Sequence, residues 1–332
     1  MDKNLKQHFI KFIKTFLPLL FGLLVLWLTI GKLDFEQVGE VLKNDVNYWF
    51  IALSLPFGLF ANIIRGYRWE LLIRPLGYKP RKSNIIYSVL GTYGVNLAFP
   101  RLGEIWRCTM ITRYENIPFT KALGTMLTDR ISDSVTVALI TVAAFAMNVP
   151  FFRSFFEKYP EIYSGILNII TYPWFWAAIS GTFILIWQIF EKFGEVGIIK
   201  KIKQLLLNIK DGIFTIGKME NKWLFIFYTF LIWFGYFLYF YICFFAFPFT
   251  KDFGWNYGLI GFVMGSIAMG VPVQGGIGPW HFMIGATLMA FGVSAVNAGA
   301  FALCVHTIQA ILWTGLFGIF GVLALPIANR KS

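Results

Sequence analysis

Long uncharged stretches alternate with short charged ones along this chain, and the stretches are long enough to cross a bilayer. Thr15–Gly31, Val46–Ile64, Ser134–Phe152, Ile162–Phe190, Trp223–Thr250 and Phe253–Asn329 contain no Asp, Glu, Lys or Arg. A hydrocarbon core about 30 Å thick takes roughly 20 helical residues to span, so each stretch predicts at least one membrane helix. Ser83–Pro100 is also uncharged and long enough. The placement of Lys and Arg decides how it is read, because basic residues concentrate on the cytoplasmic side. Arg65, Arg68, Arg74, Lys79, Arg81 and Lys82 precede it, and Arg101, Arg107, Arg113 and Lys121 follow it. Two basic flanks on one side predict that Ser83–Pro100 is one arm of a hairpin that dips in and returns.

The other segments alternate. The basic N-terminus reads cytoplasmic, Lys32–Asp45 external, Arg153–Glu161 external, Glu191–Lys222 cytoplasmic, Lys251–Asp252 external and Arg330–Lys331 cytoplasmic. Parity then gives the last uncharged run an odd number of crossings: a second hairpin over Trp255–Gly292 and a span over Val296–Pro326, or three spans. The expected fold is an all-α membrane protein of about six transmembrane helices plus two re-entrant hairpins. It forms one integral membrane domain over 1–332, a first half of about 1–150 and a second of about 160–328. Both termini read as cytoplasmic, in the cytoplasmic membrane. Between about 195 and 218, Ile198, Ile202, Leu205, Ile209, Ile213 and Ile216 recur at helical spacing opposite Lys200, Lys201, Lys203 and Lys210, the pattern of an amphipathic interfacial helix. The N-terminal stretch reads as an uncleaved first span, since no small-residue cleavage site follows it.

Composition agrees. The chain is 57% hydrophobic and 14% charged, against about 25% charged in soluble domains. The net charge of +12 lies in the short connecting segments, which points to membrane orientation and away from nucleic acid. Cys108, Cys243 and Cys304 stand alone in apolar sequence and read as small core residues. His8, His281 and His306 form no metal-ligand spacing, so neither a metal nor a cofactor is expected. Gly212–Lys218 resembles the start of a phosphate-binding loop, but Met219 replaces the hydroxyl residue and no strand precedes it.

The two hairpins break in the same way. The first turns at Asn96-Leu-Ala-Phe-Pro100-Arg101-Leu-Gly103-Glu104, the second at Gly270-Val-Pro272-Val-Gln274-Gly275-Gly276-Ile-Gly278-Pro279. Proline removes a donor and glycine admits non-helical dihedrals, so helix should stop at both. Bare backbone at membrane depth is tolerated where it lines a cavity, and a matched pair in the two halves marks an inverted repeat. An ordinary tight turn between packed helices is the plainer reading of each break alone. Charge lies close by. Asp129 and Asp133 share a helix face, with Arg130 between them. Arg65, Arg68, Arg101, Arg107 and Arg130 supply guanidinium groups suited to a phosphate. Glu104, Asn96, Pro100, Gly103, Pro272, Gln274, Gly275, Gly276, Gly278 and His281 complete the candidate cavity and gate. The alternative for these charges is the headgroup level, where charge is cheap.

Asn96-x3-Pro100-Arg-x-Gly103-Glu104-x2-Arg107, then Asp129-Arg130-x2-Asp133, then Gly275-Gly276-Ile-Gly278 resembles the transmembrane domain of lysylphosphatidylglycerol synthases, which also occurs alone in flippase-like proteins. Arg65-x2-Arg68-Trp69-x-Leu71-Leu72 looks like the same group. The resemblance implies a flippase fold that moves an anionic or modified-headgroup lipid, with Asn96, Arg101, Glu104, Arg107, Asp129, Arg130 and Asp133 at the matching positions. Gln274 and His281 depart from the pattern of Pro before the paired glycines and an acid shortly after. No aminoacyl-transferase domain is expected after Pro326. The partner implied is a membrane lipid, with a separate lipid-modifying or glycosyl-transfer enzyme and a homo-oligomer as further candidates. The rival expectation is a membrane enzyme or accessory subunit of lipid or glycolipid synthesis, with Glu104, Asp129 or His281 as acid–base groups.

Overall fold

The structure is a computed structural model that describes residues 3–31, 33–158, 160, 164, 167–168, 171–193 and 219–330. The amphipathic segment expected near 195–218 lies outside them. The chain forms two compact units, one of Met1–Ala144 with Glu220–Ser332 and one of Phe145–Met219, a partition that differs from the two sequence halves. Helices α7 (Val149–Lys158) and α8 (Pro173–Phe193) belong to the second unit. Within it Phe145 stacks on Phe152 at 4.1 Å, and Pro173 sits at the first position of α8, where its missing N–H costs nothing.

The first unit holds the remaining elements: α1 (Lys3–Ile30), α2 (Phe35–Asn44), α3 (Tyr48–Ile73), α4 (Lys82–Ala98), α5 (Leu102–Glu115), α6 (Phe119–Met147, running just past the boundary) and α9 (Lys222–Tyr241). They are followed by α10 (Trp255–Ala268), α11 (Pro279–Ala290), α12 (Ala295–His306) and α13 (Thr314–Ala328). A π-helical stretch, Thr307–Trp313, joins α12 to α13, so the last uncharged run ends in one continuous helix. No strand occurs among the described residues. Four helical runs there are long and apolar enough to cross a membrane: Tyr48–Leu76, Phe119–Met147, Lys222–Ala246 and Ala295–Ala328. A fifth results if Phe16–Ile30 and Phe35–Asn44, bent at 87°, are one broken span. The protein is an all-α, multi-pass membrane protein.

The second Pro/Gly break separates two helices that are short for a crossing. At 1.5 Å per residue, the 14 residues of α10 and 12 of α11 reach only about 20 Å each. The helices of each pair pack on one another: the Trp106 ring lies against Gly91, and Trp280 and Ile284 against Gly265.

Two sequence boundaries move, for one physical reason. The uncharged run of the second span stops at Ile64 with Arg65 and Arg68 at its end, and α3 runs on to Ile73 with both buried in it. The third span, read as beginning with Thr128–Asp133, starts further back, since α6 begins at Phe119 and buries Asp129 and Asp133. These charges neutralise one another, so no helix has to end for them. The segment Lys32–Asp45, read only as an external connection, holds α2. Asp34 caps it by accepting from the Glu36 and Gln37 N–H groups at 3.0 and 3.2 Å, and Val38 is its buried contact.

The core is aromatic. Phe240, Phe244, Phe247, Trp280 and Phe301 are buried together, with Phe244 and Phe301 edge-to-face at 5.4 Å. Cys108, Cys243 and Cys304 are buried free thiols, as expected of core residues. The exposed positions are also apolar: Leu20, Trp27 and Leu28 on α1, Leu139 and Val142 on α6, Leu316, Ile319 and Leu323 on α13. Polar groups inside and large aliphatic groups outside suit a lipid surround.

Candidate functional site

The first break is held by one side chain. Helix α4 ends at Phe99 (φ −136°), and Arg101 takes a left-handed conformation (φ 65°) before α5 begins. The Gly103 N–H donates to Asn96 Oδ1 at 2.8 Å, and Asn96 Nδ2 donates to Glu104 Oε2 at 3.2 Å. Asn96 thus reaches across the break and satisfies a donor at the start of α5, the task of an N-cap. Gly103 is required there, since a Cβ would meet the Thr92 carbonyl and the Asn96 amide. Gly103→Ala is expected to displace Asn96, with a loss of about 2 kcal/mol or more, read as a lower melting temperature in detergent.

The second break runs from Met269 to Gly278, with Gly275, Gly276 and Gly278 at positive φ. The Gly275 carbonyl meets His306 Nε2 at 2.8 Å, and the Gly278 N–H donates to His281 Nδ1 at 3.3 Å. His281 therefore caps α11 and is buried. Gln274 is buried too. A Cβ at Gly278 would collide with the Gly22 carbonyl of α1, so close helix approach fixes this glycine. The two breaks touch: Arg101 Nη2 donates to the Gly270 carbonyl at 2.7 Å.

Behind the first break lies a buried ion-pair network. Arg68 Nη2 bonds Asp129 Oδ1 at 2.6 Å and Asp133 Oδ1 at 2.7 Å, while Arg68 Nη1 donates to Thr229 Oγ1 at 3.2 Å. Arg65 bonds Asp133 and lies 3.6 Å from Asp129. Arg107 Nη2 reaches Asp129 Oδ2 at 3.3 Å, its guanidinium 4.5 Å from the Trp69 ring centroid. Arg130 is held loosely, 3.7 Å from Glu104 and 3.6 Å from Asp133. Four guanidinium groups face three carboxylates here, and Arg101 has a carbonyl as its hydrogen-bond partner. The cluster is net positive.

An amphipathic cavity of about 370 Å³ opens between the breaks. Of the residues singled out from sequence, Arg65, Asn96, Pro100, Arg101, Glu104, Arg130, Gly275 and Gly276 line it. Arg68, Arg107, Asp129 and Asp133 stand behind its wall as the ion-pair scaffold, and Gly103, Pro272, Gln274, Gly278 and His281 shape the breaks. Three donors on lining residues are buried without a hydrogen-bond partner: Arg65 Nε, Arg130 Nε and Trp233 Nε1. Asn62, Tyr93, Trp233, Tyr236 and Tyr239 also line the cavity and were missed in the sequence. Their signal was polar spacing: Asn62 with Arg65, and Tyr93 with Asn96, lie three apart on one helix face. Among the described residues no group of His, Cys, Asp and Glu could hold a metal ion.

Helices broken in pairs around a basic, amphipathic cavity define a polytopic membrane protein with a built polar site. The family described as Lysylphosphatidylglycerol synthase TM region matches residues 15–316, and the chain belongs to it. It is similar to the UPF0104 membrane protein MJ1595 of Methanocaldococcus jannaschii, 25% identical over 136 residues, 40% of each chain. It is also similar to glycosyltransferase AglD of Haloferax volcanii, 26% identical over 121 residues, 36% of this chain and 19% of that one. The chain thus spans less than half the length of these relatives. No solved structure matches it.

Proposed function

We propose that the protein is a flippase-like transporter of a phosphate-bearing, anionic lipid in the cytoplasmic membrane, with both termini on the cytoplasmic side. The observation that carries this reading is the cavity, whose lining combines donors without partners and excess guanidinium with the apolar side chains of Phe240, Phe262, Val273 and Val305. A lipid phosphate supplies the acceptors these donors lack, and acyl chain suits the apolar wall. Arg65, Arg101 and Arg130 hold the phosphate, and Arg68 and Arg107 keep the wall in place. The two Pro/Gly hairpins act as inverted counterparts that part and close about the site, and breaking the Arg101–Gly270 contact opens it. The relative named a glycosyltransferase supports work beside a separate glycosyl-transfer or lipid-modifying enzyme.

The test is lipid movement in reconstituted vesicles, with tail-labelled phosphatidylglycerol bleached from outside. Wild-type protein is expected to speed loss of the inner-leaflet label, and Arg101→Ala with Arg130→Ala to slow it about tenfold or more, the scale of losing one charge-assisted contact. Movement that ignores headgroup charge, or that the double variant leaves unchanged, defeats the proposal.

A further inference from the structure

The last helix changes partners part-way along. Before the π-helical stretch, α12 packs on α11 and α2; beyond it, α13 packs on α4. The α4–α13 contact is close throughout. Gly318 meets Gly94 and Gly321 meets Gly91 through their backbones. Tyr87 lies edge-on to Phe320 and Tyr93 to Phe317, with ring centroids 5.7 and 6.1 Å apart. At the far end the Asn84 and Asn329 amides donate to one another at 3.1 and 2.8 Å. Helices joined by backbone contact and by paired amides have little room to slide, so α4 and α13 form one rigid pair. Each side is also tied to one of the two breaks. Helix α4 runs into the first, which Asn96 caps. His306, the last residue of α12, meets the Gly275 carbonyl of the second at 2.8 Å. Thr307–Trp313 therefore joins the helix that holds one break to the helix that moves with the other.

This joint is easily bent and firmly placed. A π turn holds one residue too many for the regular helical ladder, and sharp kinks gather at such bulges. Side chains supply donors here: the Gln309 carbonyl accepts from the Tyr239 hydroxyl at 2.9 Å and the Thr314 hydroxyl at 2.8 Å. The Gln309 amide in turn donates to the Ser54 hydroxyl at 2.8 Å and the Tyr239 carbonyl at 2.6 Å. The Trp313 indole N–H donates to the Leu55 carbonyl at 2.9 Å. These contacts bolt the stretch to α3 and α9. Ser54 and Leu55 directly precede Pro56, whose missing N–H removes a ladder hydrogen bond from α3 at the same level.

We infer that Thr307–Trp313 is the pivot on which the cavity opens. Helices α4 and α13 swing together and carry the first break, while α12 stays with α11 and the second. The bolts to α3 and α9 keep the pivot in place as the helix bends through it. This rests on the reading that the two breaks part about a lipid site, and adds which helices move together and where the chain bends.

Distances between spin labels, measured in phosphatidylcholine vesicles with and without phosphatidylglycerol, test the pivot. Ser83→Cys on α4, Leu323→Cys on α13, Phe282→Cys on α11 and Ala295→Cys on α12 take the labels, because all four positions are exposed and the native thiols are buried. Leu323 lies about ten residues beyond Trp313, about 15 Å of helix, so a bend of about 20° at the π stretch moves it by about 5 Å. The Phe282–Leu323 pair, which spans the pivot, is expected to gain a second distance on that scale when phosphatidylglycerol is present. Ser83–Leu323 and Phe282–Ala295 are each expected to keep a single distance. A change in Ser83–Leu323 would show that α13 leaves α4, and one in Phe282–Ala295 that the bend lies elsewhere. Either result, or three fixed distances in protein that moves phosphatidylglycerol, overturns the pivot and leaves the transport reading standing. Wild-type protein that moves no phosphatidylglycerol overturns both.

Discussion

Asp129→Ala is expected to leave little or no folded protein, the largest effect of any single charge removal in this chain. Asp129 is fully buried and shared by Arg68 at 2.6 Å, Arg107 at 3.3 Å and Arg65 at 3.6 Å. Removing one partner of a buried ion pair typically costs about 3–5 kcal/mol, because the other charge stays in low dielectric without compensation. Here three cations lose a carboxylate at once, and Asp133 alone cannot neutralise them. That cost rivals the whole stability of an ordinary domain, about 5–15 kcal/mol. Yield of monodisperse protein on size-exclusion chromatography, with a thermal shift on what survives, reads the effect. Combining Asp129→Ala with Arg107→Met should recover part of it, since Arg107 loses its ion-pair partner when Asp129 goes and packs on Trp69. A melting temperature like that of wild type for Asp129→Ala alone would show that the network is not what holds these helices together. Glu104→Gln serves as the mild control, because Glu104 is partly exposed and reaches Arg130 only at 3.7 Å.

The network matters for function through what it joins. Arg65 and Arg68 come from α3, Arg107 from α5, Asp129 and Asp133 from α6, and Thr229 from α9. Four helices thus meet at one set of charges, and the tightly held members are those behind the cavity wall. Arg130 is different: half-buried, with neither carboxylate within ordinary hydrogen-bond distance and Nε without a partner. Fixed charges behind the wall and a loosely held one at its face suit a site that exchanges an internal contact for a ligand.

The residue types of this site were legible before its pairings were. Asp129 and Asp133 stood out as two acids on one face, and the Arg residues as a cluster, because charges in a Phe-rich chain are conspicuous. Their partnership was not legible: Arg68 and Asp129 are 61 positions apart, and no local spacing encodes a contact made by folding. The helices run beyond the uncharged stretches, α3 to Ile73 and α6 back to Phe119, because charges paired within the fold do not end a helix. Tyr93, Tyr236 and Trp233 escaped notice for the opposite reason. Among 14 Tyr and 12 Trp, a cavity-facing ring looks like one more residue of an interfacial belt. The breaks were the most legible feature, since Pro100, Gly103, Pro272 and Gly275–Gly278 act through their own backbone chemistry.

Gly318→Leu is expected to separate α4 from α13 and to cost the fold as much as the loss of Asp129. Gly318 and Gly321 of α13 face Gly94 and Gly91 of α4, so the two helices meet glycine on glycine. A Cβ at Gly318 would fall 2.6 Å from Gly94 Cα, and one at Gly321 would fall 2.7 Å from the Tyr87 carbonyl. Backbone cannot swing aside as a side chain can, so the helices must move apart, at a cost above the roughly 1–3 kcal/mol of ordinary overpacking. In lipid this is not offset by a hydrophobic drive to re-associate, because helix pairs there depend on close packing itself. Gly315→Leu is the control: a Cβ there meets only Leu97 Cδ1, at 3.4 Å. Thermal unfolding in detergent should show a collapse for Gly318→Leu and a shift of a few degrees at most for Gly315→Leu; equal shifts would refute the role of the glycine contact. Helix α4 carries Tyr93 and Asn96, so the same displacement would withdraw a cavity-lining side chain and the cap of the first break together. Fraction folded and lipid binding should therefore fall in step for Gly318→Leu.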